Sequence, residues 1–281
     1  MKSFFETPLI LDGATGTELR RLGMRLGDCT ERWVLENLDA LVSLQRGYID
    51  AGSHALYAPT FGLNRVSLRT HGLNPDLTDW ASRLVALSRK AAVSAGKEVL
   101  VGGDIAPTGM LLEPLGDLHF DDFVEIFSEQ VQALETAGVD FYAIETQMYL
   151  PETRAAVTAV RSISSKPILV SFSVTATGSS IYGDDLTTAL RELEPMGIDA
   201  FGVNCLGDLQ LLCELMARLD TEIPLLAKPN AGHPDASGQY DMAPETLASY
   251  IPALYDAGVR YFGGCCGTNA EHIAAIHDAL G

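Results

Sequence analysis

Two cysteines stand side by side in the run Gly263-Gly264-Cys265-Cys266-Gly267-Thr268, and a third, Cys205, closes the run Gly202-Val203-Asn204-Cys205. Three thiolates on one Zn2+ leave a fourth tetrahedral position open, which distinguishes a catalytic zinc site from a structural one. Adjacent residues on a regular strand face opposite ways. For both sulfurs of the pair to meet one ion the backbone must turn sharply, and Gly263, Gly264 and Gly267 are expected to supply that freedom. The helix expected directly after Thr268 would bring its positive end near the sulfurs and favour their deprotonation. The alternative is a pair of small buried residues or a strained vicinal disulfide. Flanking glycines and a third cysteine at another strand end favour the ion. Cys29, in an N-terminal loop, and Cys213, one apolar position within a helix, are read as structural.

Two carboxylates, Asp12 and Glu145, end apolar runs of the chain. A buried carboxylate needs a partner. Either each is tied by a salt bridge or by backbone N–H groups, or the two together hold an ammonium group on a ligand. Gly13-x-x-Gly16 resembles half of a phosphate loop, a signal of low specificity; the same glycines would let backbone amides approach a ligand carboxylate. The six histidines form no H-x-x-x-H or H-x-H set. His233 alone falls near an expected rim, in a loop, and reads as solvated.

These residues sit at the ends of short apolar segments: Leu9–Asp12, Ala55–Thr60, Val99–Ile105, Phe141–Thr146, Pro167–Ser173, Ala200–Cys205, Pro224–Pro229 and Tyr261–Cys266. Most are near-continuous apolar runs, as parallel strands buried on both faces are. Amphipathic segments lie between them. Phe120–Ala137 stops at Gly138; Leu84, Leu87 and Ala91 share a helix face that runs to Ala95 before Gly96; Asp185–Leu193 and Asp208–Leu219 read the same way. Pro244 suits the first turn of a helix reaching toward Gly258, which Pro252 should bend. Thr268-Asn269-Ala270-Glu271 reads as a capping box for the last helix. Eight strands, each followed by helix, with no linker or change in composition, predict one (β/α)8 barrel over residues 1–281, whose functional rim is the C-terminal ends of the strands. An open doubly wound sheet is the alternative with the same alternation.

The bulk composition narrows the partners. At 281 residues and 47% hydrophobic the chain is long enough for one large barrel. Its net charge of −18 opposes binding to nucleic acid and to anionic membrane surfaces. No apolar run approaches the roughly 20 residues of a membrane span. The start, Met1-Lys2-Ser3-Phe4-Phe5-Glu6, has no apolar core of signal-peptide length. A cytoplasmic protein is expected, and five cysteines in a reducing compartment are more often buried, catalytic or metal-bound than paired.

Taken together, Asp12-Gly13-Ala14-Thr15-Gly16-Thr17, the Asn204-Cys205 pair and the Gly-Gly-Cys-Cys element resemble the homocysteine S-methyltransferase family, from Leu9 to Leu280. Within it the chain is most similar to the homocysteine-binding module of cobalamin-dependent methionine synthase. That closer similarity rests on Arg69-Thr70-His71-Gly72-Leu73, on Pro107-Thr108-Gly109 with Pro114-Leu115-Gly116, and on Pro229-Asn230-Ala231-Gly232. The resemblance implies a zinc barrel with Cys205, Cys265 and Cys266 as ligands. It implies that Asp12 and Glu145 orient the amino group of homocysteine, and that Asn230 occupies the fourth metal position without substrate. Thr60 and Phe61 would line the pocket; Gly13 and Asn204 complete the expected substrate-binding set. Tyr57-Ala58-Pro59 and Ser171-Phe172-Ser173 depart from the family pattern in the pocket wall. The implied reaction is methylation of the homocysteine thiol to methionine. No folate, cobalamin or reactivation domain follows the barrel within this chain. The nearest resemblance favours methylcobalamin on a separate corrinoid protein as the donor, and the short chain leaves S-methylmethionine or a betaine open as the alternative. A non-enzymatic zinc-thiol sensor, and an unrelated barrel enzyme such as an aldolase with core cysteines, are the readings of other classes.

Overall fold

The computed structural model describes Phe5 and residues 8–281. The apolar runs form strands β1 (Leu9–Ile10), β2 (Ala55–Tyr57), β3 (Leu100–Ile105), β4 (Phe141–Gln147), β5 (Ile168–Phe172), β6 (Ala200–Asn204), β7 (Leu225–Lys228) and β8 (Val259–Phe262). They pair in parallel in the order β1-β8-β7-β6-β5-β4-β3-β2. Helices fill the connections, so the architecture is the (β/α)8 barrel and not the open sheet. The two ends of the ladder, β1 and β2, meet through a backbone bond, from His54 N–H to Ile10 O at 2.7 Å, and through side chains: His54 Nδ1 accepts Ile10 N–H at 3.2 Å and Ser53 Oγ donates to Leu11 O at 3.0 Å. Nearest the rim is Asp12, whose Oδ2 accepts the N–H of Tyr57 at 2.7 Å. A carboxylate thus stands where a closed ladder would place a carbonyl.

Side chains alternate across the strands. One phase, including Leu9, Leu11, Tyr57, Phe141, Leu169, Leu226 and Tyr261, forms its own cluster inside the barrel. Phe5 packs its ring on Phe141 and Tyr261 at the start of the strands. The other phase, with Ile10, Leu56, Tyr142, Val170, Phe201 and Phe262, packs against the helices. The helix Phe120–Ala137 shows how they bind. Phe123, Phe127, Val131 and Leu134 recur on one face and are buried, each contributing roughly 1.5–3 kcal/mol over an exposed position. Gly138, at φ 77°, ends it in the left-handed conformation open to glycine.

Two local expectations are refined. The segment from Pro244 is not one bent helix but two, Pro244–Ala248 and Ile251–Asp256. Pro252 has no N–H to give and its ring would strike the carbonyl of Ala248, four residues back, so the first helix ends there. The last helix, Ala270–Leu280, is capped by Asn269 with His272, not by Thr268 with Glu271. The Thr268 hydroxyl is taken elsewhere: it donates to Cys265 O at 2.8 Å and accepts from Ala14 N–H at 3.1 Å. Among the described residues no helix is long and apolar enough to cross a membrane. Residues 1–4, 6 and 7, most of the N-terminal run read above as lacking a leader, lie outside the described residues.

Candidate active site

At the C-terminal ends of β6 and β8 three sulfurs converge. Cys205 Sγ lies 2.8 Å from Cys265 Sγ and 3.9 Å from Cys266 Sγ, and all three fall within 4.8 Å of one another. Two sulfurs on one tetrahedral zinc stand about 3.8 Å apart. The longer separation matches this, and the shorter would open by about 1 Å around an ion. None of the five cysteines is in a disulfide. A soft, three-sulfur donor set at a half-exposed rim fits a metal that keeps one position for a ligand. Within the trio the S–H groups of Cys205 and Cys265 donate to Cys266, holding its thiol down to about 3. Hydrogen bonds to Cys205 and then to Cys266, with burial, push Cys265 up.

Local backbone geometry explains the convergence. Cys265 opens a four-residue turn closed by Thr268 N–H to Cys265 O at 3.1 Å. Gly267 is its third residue, at φ 82°, the left-handed value a type II turn demands there. Gly263 and Gly264 act differently from expectation: neither has positive φ, and both are small for lack of space. A Cβ on Gly264 would stand 2.2 Å from Thr268 Oγ1, and one on Gly263 would be 2.9 Å from Asp12 O. The other sharp turns fall on non-glycine residues. Thr146 and Cys205 are both left-handed at φ 58°, a conformation that costs of order 1–3 kcal/mol unless its surroundings impose it. Two asparagines impose it. Asn204 accepts Thr146 N–H at 2.9 Å and donates to Thr146 Oγ1 at 2.8 Å, and Ser171 Oγ donates to the same Asn204 oxygen at 3.0 Å. Asn230 donates to Cys205 O at 3.1 Å. The kink at Thr146 coincides with a register shift between β4 and β5, one extra residue that re-aims Glu145.

Beside the sulfurs lies a buried charge cluster. Lys228 Nζ, from the end of β7, donates to Asp12 Oδ1 at 3.0 Å, stands 3.7 Å from Glu145 Oε2 and sits 3.6 Å over the Tyr57 ring. Burial opposes the charge on Lys228, but Asp12 and Glu145 outweigh it and hold the ammonium protonated well above its ordinary range. Burial raises Asp12 despite Lys228, and raises Glu145 likewise. Asp104, at the end of β3, is pushed well above the carboxylate range by burial and then by repulsion from Glu145. Three carboxylates thus share one internal ammonium.

A cavity of about 530 Å3 opens over these groups. Of the residues marked in the sequence, Asp12, Gly13, Phe61, Glu145, Cys205, Cys265 and Cys266 line it. Thr60, Asn204 and Asn230 stand behind its wall: Asn204 and Asn230 clamp the two kinks, and Thr60 Oγ1 bonds the backbone of Asp104. Gly13 has a packing reason, since a Cβ there would meet the Tyr48 ring at 2.7 Å. Gly16 has open space around it. Tyr57, from the pocket-wall run that departs from the family pattern, lines the cavity, and so do Lys228, Asp104 and Tyr240, to which the sequence assigns no part in the site. For Lys228 and Asp104 a signal is present: a charged residue closing an apolar parallel strand needs a partner at the rim. Tyr240 lies in the loop after β7, where no periodicity marks position. Its ring abuts Gly267, whose Cβ would lie 2.3 Å from that of Tyr240, and its hydroxyl donates to Cys266.

A family model described as homocysteine S-methyltransferase matches residues 9–280. The methionine synthase of Mycobacterium tuberculosis is 28% identical over 292 aligned residues, 97% of this chain and 24% of that protein. The methionine synthase of Mycobacterium leprae is 27% identical over 300, covering 100% of this chain and 25% of that protein. The chain therefore spans about a quarter of the length of these relatives. Among solved structures, the oxidized form of the homocysteine methyltransferase MmuM from Escherichia coli is similar with TM-score 0.81 at 25% identity. Its metallated form gives 0.78 at 26%, and each comparison covers 96% of this chain and 95% of that one.

Proposed function

This chain belongs to the homocysteine S-methyltransferase family, and on that premise we propose that it methylates the thiol of homocysteine to form methionine, with Cys205, Cys265 and Cys266 holding a zinc ion. The observation that carries this reading is the meeting of three sulfurs within 4.8 Å at the edge of a carboxylate-lined cavity. Bound zinc supplies thiolate chemistry: it keeps a coordinating thiol deprotonated at neutral pH, where a free thiol of pKa about 8.5 is mostly protonated. The protein's own residues do the positioning. The acidic wall attracts the substrate's ammonium group, and the turn Gly13–Thr17 faces its carboxylate. Asn204 and Asn230 fix the kinks that aim Glu145 and Cys205. Phe61, 39% exposed at the mouth, gives an apolar edge toward the methyl donor. The substrate sulfur attacks the methyl carbon in line; the S–C bond forms as the donor's bond to that carbon breaks, and its electron pair stays with the donor. No general base is required at the moment of transfer, because the thiol proton has already left.

For the donor we favour methylcobalamin on a separate corrinoid protein, on the similarity to methionine synthases over nearly all of this chain. A small sulfonium or betaine donor is the second reading, supported by near-complete mutual coverage with the Escherichia coli homocysteine methyltransferase. Five free cysteines suit a reducing, cytosolic setting. The test is methionine formation from homocysteine by zinc-loaded protein, with methylcobalamin, S-methylmethionine and glycine betaine offered separately. Turnover with one donor assigns it. Tight homocysteine binding without turnover by any donor would replace the enzyme with a thiol sensor, and protein that retains no zinc when purified reduced would remove the basis of the proposal.

A further inference from the structure

A buried carboxyl that the proposed chemistry does not use stands beside the mouth of the cavity. Glu31, in the first turn of the helix Thr30–Glu36, is only 4% exposed. Its Oε2 accepts the S–H of Cys29 at 3.2 Å, and its Oε1 accepts the N–H of Gly62 at 2.6 Å. Burial pushes this carboxyl up against the bonds it accepts. A carboxyl oxygen can accept an N–H in either protonation state, so its hold on Gly62 does not depend on charge. The amide it grips belongs to a turn at the mouth. Thr60–Leu63 is closed by Leu63 N–H to Thr60 O at 3.0 Å. The peptide between Phe61 and Gly62 is the middle of that turn. Flipping such a peptide by about 180° gives a type II turn, which needs a φ of about +80° at its third residue and so favours glycine there. Gly62 is that residue, yet it is not left-handed. Both ends of the peptide are held: Phe61 O accepts Ala106 N–H at 3.1 Å, and Gly62 N–H is taken by Glu31. A flip would set the Phe61 carbonyl against the Glu31 oxygen, and the Gly62 N–H against that of Ala106.

We infer that Glu31 is a positioning residue for the methyl-donor side of the site: by fixing the Phe61–Gly62 peptide it holds the Phe61 ring as the edge past which the donor's methyl group reaches the substrate sulfur. The inference rests on the proposed function and deepens it. Phe61 lines the cavity and is 39% exposed, so its ring has little packing of its own to fix it, and the backbone beneath must do so. The other ties of the turn run to the same end: Gln130 Nε2 donates to Thr60 O at 2.9 Å, and Thr60 Oγ1 donates to Asp104 O at 3.0 Å. Glu31 supplies the one tie that reaches the turn from the helix Thr30–Glu36, whose first residue, Thr30, also lines the cavity. Its partners Cys29 and Gly62 belong neither to the zinc trio nor to the charge cluster. The contacts of homocysteine itself therefore do not depend on Glu31.

The test is steady-state kinetics of the zinc-loaded protein with methylcobalamin, S-methylmethionine and glycine betaine as separate probes, beside calorimetric titration of L-homocysteine. Glu31→Ala should lower kcat/KM for the donor by roughly 10- to 100-fold, the scale on which a misplacement of about 1 Å is felt. Homocysteine affinity and zinc content should stay within about twofold of the unaltered protein, since no contact of either is removed. Glu31→Gln should bring the donor's kcat/KM back to within about threefold, because its amide oxygen accepts the Gly62 N–H in place of Oε1. Phe61→Ala should lower it as far as Glu31→Ala does, and the two together should do little more than either, as residues acting through one another are not additive. Glu31→Asp keeps the carboxyl but withdraws the acceptor by about one methylene, so it should act like Glu31→Ala and stands in for it if that variant does not fold. Donor kcat/KM unchanged by Glu31→Ala or Glu31→Asp would overturn the assignment. So would a Glu31→Gln protein as poor as Glu31→Ala, penalties at Glu31 and Phe61 that multiply, or an equal loss of homocysteine affinity. Unaltered protein that turns over none of the three donors would defeat the proposed function, and this inference with it.

Discussion

Replacing Lys228 with methionine keeps most of the length of the side chain and removes its charge. Its pair with Asp12 spans 3.0 Å between side chains only 4% and 1% exposed. Solvent therefore screens it little, and removing one partner of such a pair costs roughly 3–5 kcal/mol because the other charge stays buried. The ammonium also sits 3.6 Å over the Tyr57 ring, and a neutral thioether cannot reproduce that cation–π attraction. Large single domains shift by roughly 2–4 °C per kcal/mol, so Lys228→Met should lower the thermal midpoint by on the order of 10 °C. The deficit should depend on pH in a definite sense. Burial already holds Asp12 above its ordinary 3.8 in spite of Lys228. Without Lys228 it rises further, so the folded variant keeps a proton that the unfolded chain releases. A carboxyl raised in the folded state stabilises below its unfolded pKa and loses that contribution as pH rises through the folded one. Thermal unfolding of both proteins should accordingly show a gap that is wide near about pH 8 and narrows toward about pH 5. A variant that melts with the parent at the alkaline end, or a gap indifferent to pH, would show that Lys228 is not the counter-charge of this wall.

Glu152 offers a separate pH effect, remote from the sulfurs. It is 2% exposed, accepts both the N–H and the hydroxyl of Thr108 at 2.6 Å, and is pushed by burial up to about 7. Its folded value lies above the unfolded one, so wild-type stability should fall by on the order of 3 kcal/mol as pH rises from about 5 to about 8. Glu152→Gln should flatten that slope in urea titrations. Asn204→Ala and Asn230→Ala release the left-handed residues Thr146 and Cys205 from their clamps. Each should weaken zinc by roughly 10- to 100-fold in competition with a chromophoric chelator, as loss of supporting bonds around a metal site does. Zinc affinity equal to the parent's in both variants would deny the clamps their role.

The barrel is legible in the sequence because eight apolar runs separated by amphipathic segments leave few other ways to bury both faces of a parallel sheet. The runs map onto β1 to β8, but apart from β3 and β4 the observed strands end sooner at the rim. Cys265 and Cys266, read as the end of the last strand, lie beyond Phe262 in a turn. This is why the pair can face one point without violating strand alternation. The meeting of Cys205 with that pair needs more than strand order, since β7 lies between β6 and β8, and the left-handed turn at Cys205 brings its sulfur across. What does not follow is the ownership of each hydrogen bond. Asp12 and Lys228 are 216 positions apart, and nothing in either run says that one neutralises the other. The seam between β1 and β2 hides likewise, because a carboxylate that replaces a ladder carbonyl leaves no mark on hydropathy. Thr268 reads as a cap and is not one for a similar reason: its hydroxyl has competing partners, and tertiary packing decides between them.

At the centre stands the claim that Cys205, Cys265 and Cys266 hold one zinc with a place left for the substrate's sulfur. Zinc-edge X-ray absorption on reduced, zinc-loaded protein, before and after L-homocysteine, tests it most directly. One zinc per chain with three sulfur neighbours is expected, rising to four when the amino acid is added. A sulfur count that does not change with homocysteine, or zinc held by fewer than these three residues, would contradict it.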